Sequence, residues 1–404
     1  MQQLEKQDLL RASIDEIGKE AIIQVFQFLN GSQDYPTPIS IHFDLTMRCS
    51  ARCIHCRQWT WPQRNTLSLI QLKNIITRFM QWKVKTITFG GGNPLLYKYI
   101  NEALVFAREA DMDIGIISEG GQLDDKLCKT ISDCARWIRF SIDGHEAKIH
   151  DSIRRAPGLF NMVVKNIKDL KASNYQLAIG LNCVIQKKNI GTLPQIIQFA
   201  DEVGADIIMF KIPHGNDYRG EYILSLKEWR ILVDLIQELN ANKTYRVKTN
   251  LNALNYMLNS VIKEKDAIEG RPVSSFYIEN DTHCFAPFFF LTCDSLGDMY
   301  PCDYLQADVR DWLEYYNMRN EFCLGNILED SDSILGRLAM MMTEQIHHMP
   351  SRGFSECGCC TRFYHINHAL SLFGKRLDAT TCNVQDINQF LRLDVLPGHA
   401  VSFL

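Results

Sequence analysis

Three cysteines, Cys49, Cys53 and Cys56, stand in the spacing C-x3-C-x2-C directly after an apolar run over residues 39–45. Cysteine thiolates are the usual ligands of iron–sulfur clusters. Three of them on one loop suffice for three irons of a [4Fe–4S] cube, leaving the fourth iron open. An open coordination position is what separates a catalytic metal site from a closed structural one. Zinc is the competing reading, because His55 lies between the second and third cysteines and offers a fourth ligand.

A second set, Cys284, Cys293, Cys302, Cys323, Cys357, Cys359, Cys360 and Cys382, falls in the last third of the chain. Cys284 and Cys302 bracket a hairpin pattern, two short strands over residues 288–292 and 298–300 around Ser295-Leu296-Gly297. Cys357 and Cys360 form a C-x2-C pair, so four thiolates in two pairs suit either a zinc ribbon or a closed iron–sulfur cluster. Cys128, Cys134 and Cys183 sit inside helix or strand patterns and read as core.

These residues need a frame, and the chain supplies a regular one. Short apolar runs at residues 39–45, 86–89, 113–117, 137–142, 176–184 and 206–211 alternate with amphipathic helical stretches. Ser68 and Gln71 make a capping box for a helix that buries Leu72, Ile75, Ile76 and Phe79. Six β-then-α units predict parallel strands, since parallel neighbours need long crossovers. The fold class is α/β. A helix is expected over residues 9–29, and within 213–280 helices around 225–239 and 253–262 flanking a short strand at 245–249.

The ends of the runs carry further candidates. Gly90-Gly91-Gly92-Asn93-Pro94 follows the second run, and its glycines permit close backbone approach. Ser118-Glu119-Gly120-Gly121 follows the third; Glu119 reads equally as a surface carboxylate. The fourth ends in Ser141-Ile142-Asp143-Gly144, with His150-Asp151, Arg154, Gly158 and Phe160 beyond it, and Asn182 lies in the fifth.

The cysteine triplet resembles the C-x3-C-x-Φ-C signature of the radical SAM superfamily, with His55 at Φ. The resemblance continues in order to about residue 211, and a second one, to the SPASM and twitch modules of the same superfamily, begins at Cys284. It implies a partial (β/α)6 TIM-like barrel with a small C-terminal α+β cluster-binding domain. The divisions expected are 1–38 (helical extension), 39–215 (barrel), 216–280 (connection) and 281–404 (cluster domain). It also implies a [4Fe–4S] cluster on Cys49, Cys53 and Cys56 whose open iron binds S-adenosylmethionine, which is cleaved to a 5′-deoxyadenosyl radical. Within the family pattern, Gly91, Gly92 and position 93 contact the amino group of that cofactor. The family usually has glutamate at that position; Asn93 offers only a carbonyl acceptor and no charge. Ser118, Glu119 and Asn182 fall near the ribose, Ser141 against the cofactor, and Arg154 near its carboxylate. Cys284, Cys302, Cys357 and Cys360 would hold one auxiliary [4Fe–4S] cluster, leaving Cys293 and Cys323 as candidate catalytic hydrogen donors.

The spacing of the second set also resembles that of radical SAM dehydrogenases of aminocyclitols. Modification of a ribosomal peptide is the first expectation: cross-linking, epimerisation or dehydrogenation. Dehydrogenation or epimerisation of an aminocyclitol or sugar is the second, and a non-catalytic iron–sulfur or zinc-stapled binding protein the third. The resemblance implies a reductant such as flavodoxin or ferredoxin. Composition agrees with a cytoplasmic enzyme: 404 residues, 46% hydrophobic, 43 basic against 47 acidic side chains, net charge −4. Nothing in that balance points to nucleic acid or an anionic membrane. No apolar run approaches the ~18 residues of a membrane span. The first residues lack the pattern of a signal peptide, so the 14 cysteines read as reduced.

Overall fold

The structure, a computed structural model, describes residues 19–29, 32, 35–56, 66–174, 176–212, 222–252, 254, 255, 258, 259, 262, 286–302 and 322–348. Six strands, β1 (Ser40–Thr46), β2 (Thr86–Gly91), β3 (Asp113–Ser118), β4 (Trp137–Ser141), β5 (Ala178–Val184) and β6 (Ile207–Lys211), lie side by side in chain order. All neighbouring pairs among them are parallel. The crossovers are α2 (Leu69–Gln81), α3 (Ile100–Glu109), α4 (Asp125–Cys134), α5 (Ala147–Arg154) with α6 (Leu159–Ser173), and α7 (Leu193–Glu202). This is the expected α/β architecture of a partial barrel, and strand limits fall within two residues of those read from the sequence. Helix α5 is an addition to that reading. Helix α1 (Lys19–Leu29) covers the described part of the N-terminal helix and buries Ile22 and Val25.

Alternation along β1 sets the two faces. Ile41, Phe43 and Leu45 are fully buried, and Phe43 meets Phe79 of α2 edge-on, ring centroids 6.0 Å apart. His42 and Asp44 point away from that helix and hydrogen-bond to each other at 3.0 Å. The capping box at α2 forms, with Ser68 receiving the Gln71 amide and Gln71 the Ser68 amide, and the four residues expected beneath it are the four buried. Outward strand side chains and inward helix side chains merge into one core.

Helix α8 (Leu226–Ala241) leads to the two-residue strand β7 (Lys248–Thr249), which adds parallel to β6. The hairpin between Cys284 and Cys302 is present as β8 (Phe290–Cys293) and β9 (Asp298–Tyr300), antiparallel. It does not stand apart from the barrel sheet. Strand β8 pairs parallel with β1, Ser40 level with Phe290, and β10 (Gly325–Asn326) adds to β9 ahead of α9 (Ser331–His348). The ten strands run β10-β9-β8-β1-β2-β3-β4-β5-β6-β7.

Candidate active site at the strand ends

In sheets of this type, sites form at the carboxyl ends of the strands, and the cysteine loop leaves β1 there. Backbone bonds tie it down on two sides. On the β2 side the Gly92 and Asn93 amides donate to the carbonyls of Thr46 and Arg48, at 2.8 and 2.7 Å. On the α5 side the Arg52 and Ile54 amides donate to the carbonyls of Arg154 and Ile153, at 2.9 and 3.0 Å. Cys53 lies between those last two anchors.

The glycines of the β2 turn serve this docking. A Cβ on Gly92 would lie 2.4 Å from the Arg48 carbonyl oxygen, and one on Gly91, at φ +104°, 2.4 Å from that of Thr46. The close approach read from the sequence is therefore made to the cysteine loop itself.

Asn93 is wholly buried, and its side chain is fully engaged on the carbonyl side. Its Oδ1 accepts from Ser118 Oγ (2.8 Å) and from the Leu95 amide (3.2 Å), which uses both lone pairs. Its Nδ2 donates to Glu119 Oε1 at 2.8 Å. Glu119 is buried too, 4% exposed, and receives Ser50 Oγ from the cysteine loop and the Gly121 amide. Glu119 is thus no surface carboxylate.

On the opposite side Asp143 is completely buried and meets Arg154 Nε at 2.7 Å. Arg154 Nη1 also reaches Cys53 Sγ at 3.5 Å. Burial disfavours both charges, but their mutual attraction outweighs it. The Asp143 carboxyl is held below its usual range, helped by His55 and the Val184 amide, and the Arg154 guanidinium is held above its own. The arginine expected near a ligand carboxylate is here paired with a carboxylate of the chain. His55 is within 4.0 Å of Asp143 Oδ2 and 3.3 Å of Gln186 Nε2; burial drives its pKa down to about 4, so the ring is neutral.

The rest of the string after β4 builds this wall. His150 Nδ1 accepts the Asp143 amide at 3.1 Å, and its ring lies 5.7 Å from Phe160. Asp151 accepts the amides of Gly158 and Phe160 at 2.7 and 2.9 Å, fixing the turn into α6, where Gly158 has φ +81°. Ser141 and Asn182 are level on β4 and β5. The Asn182 Oδ1 and Gln186 Oε1 atoms are buried with no hydrogen-bond partner, acceptors available to a ligand.

The donor set suits a cluster. Burial pushes the Cys49 thiol up to about 12, and Glu119, Cys53 and Cys56 add to the rise, so metal binding here displaces protons. Among the described residues no three His, Cys, Asp or Glu side chains converge on one point as a single ion requires. The strand-end acceptors Asn182 and Gln186 fit a ligand rich in hydroxyl and amino groups.

Of the second set, Cys293 is fully buried on β8, level with Phe43, and its thiol, raised by burial, donates to the Asp294 carbonyl at 3.6 Å. Cys302 and Cys323 form no disulfide among the described residues and are partly exposed. Cys284, Cys357 and Cys360, with the spare cysteines Cys359 and Cys382, lie outside the described residues. Sequence reasoning gave no role to Ser50, Gln186, Asn189 or Asp143. Only Asp143 carried a signal, as part of the string after β4. Asn189 Nδ2 donates to the carbonyls of Asp143 and Val184, at 3.0 and 2.9 Å.

Comparison with known proteins agrees with this geometry. Residues 44–200 match the Radical SAM superfamily. The AdoMet-dependent heme synthase of Oleidesulfovibrio alaskensis is 24% identical over 67% of this chain and 72% of its own. Mycofactocin maturase MftC of Mycobacterium ulcerans is 26% identical over 44% of this chain and 49% of its own. The crystal structure of Streptococcus suis SuiB bound to S-adenosylmethionine superposes with a TM-score of 0.59 at 14% identity, covering 81% of this chain and 74% of that one. The cysteine loop and the ends of β1–β5 all lie within residues 44–200, the stretch that is a radical SAM domain.

Proposed function

We propose that this enzyme modifies a ribosomal peptide, starting from hydrogen abstraction at the site beside Cys49, Cys53 and Cys56. The observation that carries the radical reading is the cysteine loop, anchored by backbone bonds from β2 on one side and α5 on the other. A [4Fe–4S] cluster with S-adenosylmethionine, when bound, supplies a 5′-deoxyadenosyl radical able to take hydrogen from an unactivated carbon. The chain's contribution is placement. Cys49, Cys53 and Cys56 would hold three irons, Arg154 donates to the Cys53 sulfur, and Ser141 and Asn182 would line the strand ends for the nucleoside, Ser118 being engaged by Asn93 and the Gly120 amide.

The peptide reading draws on relatives such as mycofactocin maturase MftC and the subtilosin biosynthesis protein AlbA of Bacillus subtilis, the latter 21% identical over 75% of this chain and 60% of its own. A tetrapyrrole substrate is the second reading, favoured by the heme synthase match. Cys284, Cys302, Cys357 and Cys360 would hold one auxiliary cluster. Either Cys293 or Cys323 would remain as a hydrogen donor; Cys323, partly exposed, is the better placed of the two.

Anaerobically reconstituted protein, reduced with dithionite or a flavodoxin, should release 5′-deoxyadenosine and contain about eight irons. The Cys49→Ala/Cys53→Ala/Cys56→Ala variant should keep about four irons and release none. Continued release from that variant would show the radical reading to be wrong. About four irons with one zinc in the wild type would remove the auxiliary cluster. Peptides encoded beside the gene should raise 5′-deoxyadenosine output. A rise with iron porphyrins instead would favour the second reading.

A further inference from the structure

The β2–β3 side of the cysteine loop holds a buried carboxylate for which the described residues supply no counter-charge. Glu119 is 4% exposed, and among the described residues every group bonded to it is neutral: the Asn93 amide nitrogen, the Ser50 hydroxyl and the Gly121 amide. Among the described residues no lysine, arginine or histidine pairs with it, whereas Asp143 across the loop has Arg154 at 2.7 Å. A buried carboxylate without a counter-charge is costly unless something else supplies one.

The acceptor count decides where a cationic ligand group can bind. Asn93 Oδ1 has both lone pairs taken, by Ser118 Oγ and the Leu95 amide. It has no capacity left for an ammonium. Glu119 Oε1 is likewise filled, by Asn93 and Ser50, but among the described residues Oε2 receives only the Gly121 amide and keeps an acceptor site. Glu119 also receives the hydroxyl of Ser50, the residue after Cys49, so its carboxylate lies against the cysteine loop.

We propose that Glu119, at the end of β3, receives the methionyl ammonium of S-adenosylmethionine, and that Asn93 is the positioning residue that holds Glu119 for it. This rests on the cofactor assignment made above. The negative charge that this pocket needs is delivered from the third strand, across the 2.8 Å bond between Asn93 and Glu119.

Equilibrium binding to the reconstituted enzyme tests the assignment without turnover. The ligands are S-adenosylmethionine and 5′-methylthioadenosine, which lacks the amino acid portion. Glu119→Gln should weaken S-adenosylmethionine by about tenfold or more, because a charge-assisted bond is exchanged for a neutral one. It should leave methylthioadenosine and iron content unchanged. Asn93→Glu alone should also lose affinity, since two carboxylates at hydrogen-bond distance will share a proton and displace each other. Asn93→Glu combined with Glu119→Gln should regain most of it, one negative charge being restored across the same bond.

Undiminished S-adenosylmethionine binding by Glu119→Gln would overturn the proposal, as would parallel loss of both ligands, which marks a ribose or packing role. Tighter binding by Asn93→Glu alone would also overturn it. Wild-type protein that binds neither ligand would sink the cofactor assignment and this proposal with it, whereas wild-type binding that Glu119→Gln retains sinks this proposal alone.

Discussion

The cysteine loop lies between two walls that treat buried charge in opposite ways. On the α5 wall, Asp143 and Arg154 cancel each other at 2.7 Å, and Arg154 also reaches Cys53. On the β2–β3 wall, Glu119 meets only neutral donors among the described residues. Breaking a buried pair strands a charge in low dielectric, while an already lone carboxylate gains from losing its charge or from gaining a ligand. The first wall is therefore built to be stable on its own, the second to be completed by something that binds.

The largest expected effect is on the balanced wall. Arg154→Met strands Asp143, and unfolding in urea should show a loss of about 3–5 kcal/mol. Asp143→Asn added to it should recover most of that loss. Simple additivity of the two would mean that the pair is not coupled.

A smaller effect is a pH dependence confined to the same wall. Burial holds His55 and His150 at about 4, below the ordinary histidine value of ~6.5. The unfolded chain therefore binds more protons between those limits. The associated stability is fully present above pH ~6.5 and is lost as pH falls towards ~4. Asp143, also lowered, adds its own loss only below about pH 4. His150→Gln should flatten the slope between pH 6.5 and 5 by about 1–2 kcal/mol at the lower end. An unchanged slope would show that His150 is not kept neutral.

The smallest effect is the sharpest contrast. Glu119→Gln should leave the unfolding free energy of the ligand-free protein unchanged or raise it by about 1 kcal/mol, since a lone buried charge is removed and no ion pair is broken. A loss near that of Arg154→Met would erase the distinction between the walls.

Legibility in the sequence followed the same division. The parallel strands, the Ser68 capping box and the four residues buried under it follow from local periodicity. Helix α5 does not, because its buried face is His150, Ile153 and Arg154, two of which are polar, and apolar periodicity leaves only one mark. The string running from Asp143 to Phe160 was visible as a motif, but a motif does not separate ligand contacts from scaffolding. His150 and Asp151 turn out to secure backbone amides. Glu119 was ambiguous because a glutamate in a glycine-rich loop is ordinarily solvated. Ser50, Gln186 and Asn189 act through contacts distant in the chain, for which no local spacing exists. The pairing of β8 with β1 was hidden for the same reason.

That pairing bears on how the chain reaches its fold. Strand β1 is central, flanked by β2 and β8, and its neighbour Phe290 leaves the ribosome long after Ser40. At ~5–20 residues per second, the β8 side of β1 stays open on the order of ten to fifty seconds during synthesis. An apolar strand with an open edge is a template for wrong pairing. Truncation before residue 290 should thus leave a nascent barrel prone to aggregate, so the cysteine-bearing C-terminal region also acts late, supplying the strand that pairs with β1 beside the cysteine loop.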